Sequence, residues 1–192
     1  MSDNKKATKV TRKEKQDDFL VKLARDIQAL EGDRFVEADG TVSIGGLNQK
    51  TFTAYRKAKN LPEKDVAEAS FDDFLNILQE EFIDRHGIKN IPRDVLPIVV
   101  DFSFNSGPAN AAKVFQRTVG AKEDGIIGPN TMKAYKEFIK TKGREGFVNE
   151  LSDRRLDFLN QAALTRPDIA ENLNGLTNRV NKVRESALAP QR

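Results

Sequence analysis

The sequence predicts a mainly α protein with one small β-hairpin. Three observations carry that expectation. Apolar residues recur at three- and four-residue spacing along most of the chain, the period that puts them on one face of a helix. Asp39-Gly40, flanked by β-prone Phe35-Val36 and Thr41-Val42-Ser43-Ile44, is the one strong hairpin signal, because a tight type I′ turn needs positive φ. Glu31-Gly32, Gly45-Gly46, Leu61-Pro62 and Asn105-Ser-Gly-Pro108 punctuate the helical stretches.

Phe19, Leu20, Leu23, Ile27 and Leu30 share a face, which predicts an amphipathic helix over 13–31. Gly32 ends it, since Gly suits the position just past a helix. The hairpin follows at 34–44 and Gly45-Gly46 breaks it. Asn48 or Thr51 opens the next helix, which runs to about Lys59. Ser70 is placed to cap a helix with Asp72 and Asp73 in its first turn, near its positive end. Phe71, Phe74, Leu75, Leu78 and Phe82 form its apolar face, and it ends near His86-Gly87. A loop is expected from Ile88 to Pro92. The apolar run from Leu96 to Phe104 suits a buried strand or a central helix; its helical neighbours and the stop at Asn105-Ser-Gly-Pro108 favour the helix. Helices are expected at 109–119, 129–141, 144–162 and 172–187, with Pro129 in a first helical turn. The total is six to eight helices.

Composition excludes several function classes. At 192 residues, 38% hydrophobic and with 12 Phe, the chain can build a core, so wholesale disorder is excluded. No stretch approaches 18 apolar residues, so no membrane insertion is expected. Met1-Ser-Asp-Asn-Lys-Lys lacks the apolar region of a signal peptide. Absent Cys removes disulfides and thiolate chemistry, and a single His leaves little for a metal site or a Ser-His-Asp triad. No metal or cofactor is expected. The net charge of +3, from 32 Lys and Arg against 29 Asp and Glu, argues against a dedicated nucleic-acid binder. Its basic excess lies in residues 1–12 and just beyond, read as a flexible tail.

Glu31 closes an apolar helical face just before the hairpin. A carboxyl half-buried at such a junction suits a general acid, because desolvation disfavours its charged form. The hairpin beyond would bring Asp39, Thr41 and Ser43 across a cleft, and an acid with a polar partner is the minimal kit for glycoside hydrolysis. Asp101, inside the apolar run, reads as a buried and satisfied carboxylate or as a cleft-floor group. Asn105 and Ser106 cap the helix that follows or line the cleft; Tyr55 belongs to the core or the cleft wall. His86 reads as structural at a helix end, Asp124-Gly125 as turn-shaping, and Arg154, Arg155 and Asp157 as a solvated helix face.

The order Glu31-Gly32, Gly46-Leu-Asn-Gln-Lys-Thr-Phe-Thr-Ala-Tyr-Arg-Lys57, Asp101-Phe-Ser-Phe-Asn-Ser-Gly-Pro108 and Asp124-Gly-Ile-Ile-Gly-Pro-Asn-Thr131 resembles glycoside hydrolase family 108. These are lysozyme-like muramidases, common in phages and prophages. The resemblance implies an α+β lysozyme-like fold with a catalytic region over 13–107. It also implies a helical peptidoglycan-binding-like region over 108–192, packed in the same domain. By the same resemblance Glu31 is the catalytic acid, assisted by Asp39 with Ser43 or Thr41, while Tyr55, Asp101, Asn105 and Ser106 contact substrate. The expected substrate is the peptidoglycan glycan strand, cleaved between N-acetylmuramic acid and N-acetylglucosamine. The protein would reach the wall from the host cytoplasm as an endolysin or be carried in a virion, with virion proteins as further partners. A wall-binding or structural protein that reuses the fold without its activity is the alternative. Gly45 stands where the family pattern carries an aromatic, and Leu176 where it carries Trp.

Overall fold

The structure is a computed structural model and describes residues 12–32, 34–36 and 42–189. It divides into two compact units, Met1–Asn76 and Ile77–Arg192. Of the basic tail expected over 1–12, residues 1–11 lie outside the described residues, as does the Asp39-Gly40 turn, while Arg12 opens the first helix.

The first unit opens with helix α1, Arg12–Glu31. Its apolar spacing works as expected: Leu23, Ala24 and Ile27 are buried. Gly32 ends the helix at φ 79°, its N–H donating to the Gln28 carbonyl at 3.0 Å. A three-stranded antiparallel sheet follows, with β1 (Arg34–Val36), β2 (Val42–Ile44) and β3 (Leu47–Asn48) in that order. Phe35 pairs with Ser43, and Ser43 with Asn48. The expected hairpin is therefore extended by a strand, because Gly45 (φ 54°) and Gly46 (φ 82°) form a tight turn instead of ending the sheet.

Asn48 caps α2, Gln49–Ala58, its side chain accepting from the Thr51 N–H at 2.9 Å. Gln49 ties the connection beyond back to this helix: its amide donates to the Lys64 carbonyl at 3.0 Å and accepts from the Val66 N–H at 2.7 Å. Helix α3, Phe71–Ile77, starts in a reciprocal cap. Ser70 Oγ accepts from the Asp73 N–H at 3.1 Å, and the Asp73 carboxylate accepts from the Ser70 N–H at 2.9 Å. Phe52, Tyr55, Val66 and Phe74 complete this unit's core.

The second unit begins where α3 widens into a π-helical segment, Leu78–Ile83, followed by a 3₁₀ segment, Arg85–Asn90, where a plain loop was expected from Ile88. Helix α4 (Leu96–Ser106) confirms the helical reading of the apolar run, and every residue from Ile98 to Ser103 is buried. Gly107, at φ 88°, turns the chain into α5, Pro108–Thr118. The two helices expected across 129–162 are present: α6 (Pro129–Ala163) is two helical stretches joined at Gly143, whose φ of 69° and ψ of 176° are not helical. A short α7 (Pro167–Glu171), not foreseen, precedes α8 (Leu173–Leu188). The core gathers Val99, Val100 and Phe102 of α4, Phe115 of α5, Phe147, Leu151 and Leu159 of α6, and Val180 of α8. Phe115, Tyr135 and Phe147 form an aromatic cluster with ring centroids 4.9–5.6 Å apart. No helix among the described residues is long and apolar enough to cross a membrane.

Candidate active site

Glu31 is the last residue of α1 and is half-buried. The left-handed Gly32 stops the helix one residue later, so the carboxyl stands at a helix terminus directly before β1. Ser43, on β2, is buried at 8% exposure, in register between Phe35 and Asn48. Asp39 and Thr41 lie outside the described residues. Tyr55 is buried on α2, and the Lys59 ammonium sits 5.6 Å from its ring centroid.

The other expected site residues belong to the second unit. Asp101 is a buried ion-pair centre. Arg155 Nη1 donates to Oδ2 at 2.6 Å, while Arg179 donates to Oδ1 through Nε at 3.0 Å and Nη2 at 2.6 Å. Burial alone would push the Asp101 carboxyl up; the two guanidiniums outweigh it and hold the group below the usual carboxylate range. Arg155 is 1% exposed and also lies over the Phe102 ring at 4.9 Å, so the solvated face expected for it is replaced by a core position. Arg154 pairs locally with Glu150 at 2.8 Å.

Asn105 and Ser106 do not cap α5. Gly107 occupies the capping position, and no side chain bonds there. Instead Ser106 Oγ donates to Asn105 Oδ1 at 3.2 Å, and the Ser106 carbonyl accepts from the Asn110 amide at 2.8 Å. Both residues are half-buried at the open end of α4.

One buried group escaped the sequence reading. Gln116, 1% exposed on α5, organises the Asp124–Pro129 loop. Its amide nitrogen donates to Asp124 Oδ1 (2.7 Å), the Ile126 carbonyl (3.0 Å) and Thr131 Oγ1 (3.1 Å), and its oxygen accepts from the Gly125 N–H at 2.8 Å. From the other side His86 Nδ1 donates to the Gly125 carbonyl at 2.7 Å, and Asn90 to the Ile127 carbonyl at 2.9 Å. His86 is thus structural, as expected, but through this loop contact and not through a helix end. The only available signal was a Gln among apolar neighbours on a helix face. Among the described residues no group of three or more His, Asp or Glu is arranged to hold a metal ion.

A long first helix ending in a carboxylate, a short sheet behind it and a helical second unit define a mainly α, lysozyme-like protein. Residues 24–107 match the family model described as Glycosyl hydrolase 108. The solved structure of Brucella abortus SagA is similar over 90% of this chain and 95% of its own, with a TM-score of 0.74 and 25% sequence identity. No curated protein matches the chain.

Proposed function

We propose that the protein is an N-acetylmuramidase that hydrolyses the β-1,4 bond between N-acetylmuramic acid and N-acetylglucosamine in peptidoglycan, with Glu31 as general acid. The observation that carries this reading is the position of Glu31. It is a half-buried carboxyl at the end of the first long helix, inside the segment that matches the glycosyl hydrolase family. In the protonated state Glu31 delivers its proton to the glycosidic oxygen as the bond to the anomeric carbon breaks. The leaving sugar departs as an alcohol, and positive charge develops on the remaining ring. Asp39 stabilises that charge or orients the attacking water, assisted by Ser43 or Thr41. Water supplies the hydroxyl at the anomeric carbon, and its second proton restores Glu31. Asn105 and Ser106 serve substrate binding, whereas Tyr55, expected there too, is a core residue of the first unit. Asp101 acts at a remove, as the buried anchor of α4.

Turbidity loss of purified sacculi tests the reading. Wild type lyses them, and Glu31→Gln lowers the rate by about 10²–10⁴, the usual contribution of a positioned proton donor. Unchanged lysis by Glu31→Gln assigns the acid elsewhere. Failure of the wild type to lyse sacculi, with pelleting on them retained, replaces the enzyme by a wall-binding protein.

A further inference from the structure

We propose that Lys133, Lys136 and Lys140, on the outer face of α6, form a docking surface for a linear phosphodiester polymer of the bacterial envelope, of the poly(glycerol phosphate) kind. The choice of an envelope polymer rests on the peptidoglycan hydrolase reading; the ligand is a chain of phosphates and not the glycan strand.

The first stretch of α6, from Pro129 to Lys142, carries four Lys and one Glu. Residues 77–192 hold 18 Lys and Arg against 15 Asp and Glu, so this stretch accounts for the whole positive excess of the second unit. Lys133, Lys136 and Lys140 recur at three and four residues, which places them on one helix face with rises of about 4.5 and 6 Å between them. All three are exposed.

The opposite face holds the helix in place. Thr131 and Tyr135 are buried. Thr131 Oγ1 accepts from Gln116 at 3.1 Å, and Tyr135 packs on Phe115 and Phe147. Just past Gly143, Arg144 donates to the Asp94 carbonyl at 2.9 Å and to the Ala187 carbonyl at 2.6 Å. The lysine row therefore stands outward on a support fixed at both ends.

Helix stability does not call for this row. Lys136 and Lys140 are like charges four residues apart, a spacing that destabilises a helix. Lys133 lies in the N-terminal half of the stretch, where the macrodipole offers a cation nothing. Glu137, the stretch's single acid, pairs with Lys140 at 2.7 Å in the open, where such a pair contributes little. One carboxylate against three ammoniums leaves a cationic strip that a polyanion would neutralise.

The surroundings of the strip select the polyanion. Met132, Ala134, Phe138 and Ile139 are half-buried, so the outer face lacks the apolar side chains that enter a lipid surface. No exposed side chain between Pro129 and Lys142 is aromatic, so nothing offers the stacking platform of single-stranded nucleic acid. Lysine ammoniums are compact point charges suited to phosphate oxygens, and a row of them suits a flexible chain that repeats one phosphate per unit.

Fluorescence titration of the full chain with poly(glycerol phosphate) tests the proposal. Wild type is expected to bind, with affinity falling about tenfold or more between about 50 and 200 mM salt. Lys133→Gln, Lys136→Gln and Lys140→Gln together are expected to weaken binding at least about tenfold at the lower salt. The triple variant should melt no earlier than wild type, because a like-charge contact is gone. Lys113→Gln, Lys122→Gln and Lys182→Gln together remove the same charge from other exposed positions and should change affinity by less than about twofold. Binding is read without lysis, so a wild type that fails to lyse sacculi, or a wrong acid at Glu31, leaves this result standing. Absent binding by wild type, equal losses in the two triple variants, or at least about tenfold tighter binding to single-stranded DNA of equal phosphate number overturns the assignment.

Discussion

Gln28 lies across Gly45. A Cβ on Gly45 would come within 2.8 Å of Gln28 Cγ and 2.9 Å of Nε2, closer than such atoms approach in folded proteins. Gly45 is buried at φ 54°, in the turn between β2 and β3. The last turns of α1 therefore meet the sheet through a glutamine laid on bare backbone, one helical turn before Glu31. This is also where the family pattern carries an aromatic. Here the Gln28 side chain of α1 occupies the space a Cβ would enter.

Gly45→Ala is expected to cost about 1–3 kcal/mol, from left-handed backbone strain plus the collision with Gln28. Adding Gln28→Ala removes the collision and leaves the strain. Urea unfolding of both single variants and the double variant should give a combined loss smaller than the sum. Additive losses would show that the two side chains do not meet.

Gly87 is constrained more severely. At φ 72° a Cβ would fall 2.3 Å from the Ile127 carbonyl oxygen, the acceptor of the Asn90 amide. A backbone carbonyl cannot swing aside as a side chain can. Gly87→Ala is expected to lose about 2 kcal/mol or more, combining backbone strain with a displaced hydrogen bond. Hydrogen exchange at the Ile127 N–H, bonded to the His86 carbonyl at 2.8 Å, should accelerate in the variant; unchanged exchange would contradict the contact.

Gln116→Leu keeps the volume of a buried side chain and removes the hub of the 124–129 loop. The Gly125 N–H and its neighbours lose their partner, with an expected loss of about 2–4 kcal/mol. The hydrogen bond from Gln116 is also the main cause holding the Asp124 carboxyl below its ordinary value, with the Ile126 N–H second. A proton titration followed by NMR should therefore find Asp124 moved upward in the variant. An unmoved Asp124 would mean the bond is absent in solution.

Local patterns were legible in the sequence wherever neighbours in the chain decide the structure. The periodicity of Leu23 and Ile27, the Ser70–Asp73 cap and the stop at Gly107 all act within a turn or two. The π-helical widening at Leu78–Ile83 was not legible, since the same apolar face serves an α-helix equally well. Neither was β3, a two-residue strand too short to show alternation. The Arg155–Asp101 pair joins residues 54 apart, and nothing near Arg155 distinguishes it from the exposed arginines of α6. For the candidate site, the place of Glu31 at the end of α1 could be read directly. What Asn105 and Ser106 bond to could not, because it depends on the turn at Gly107.

The Asp101 cluster makes acid stability testable. Its carboxyl is held below the ordinary value in the fold, so the unfolded chain takes up a proton first as pH falls. The stabilisation is complete above the unfolded value of about 4 and is lost as pH drops through the lower folded value. Asp101→Asn removes the charge and leaves the buried Arg155 guanidinium without its counter-ion, an expected loss of about 3–5 kcal/mol near neutrality. Below about pH 4 the gap between wild type and variant should narrow, since only the wild type still has that charge to lose. Replacing the pair together, as Asp101→Leu with Arg155→Met, removes both charges from the core and should cost less than Asp101→Asn alone. Thermal unfolding from pH 7 down to pH 2 measures all three. A gap between wild type and Asp101→Asn that stays constant over that range would show that Asp101 titrates alike in the folded and unfolded chain, against the lowered value in the fold.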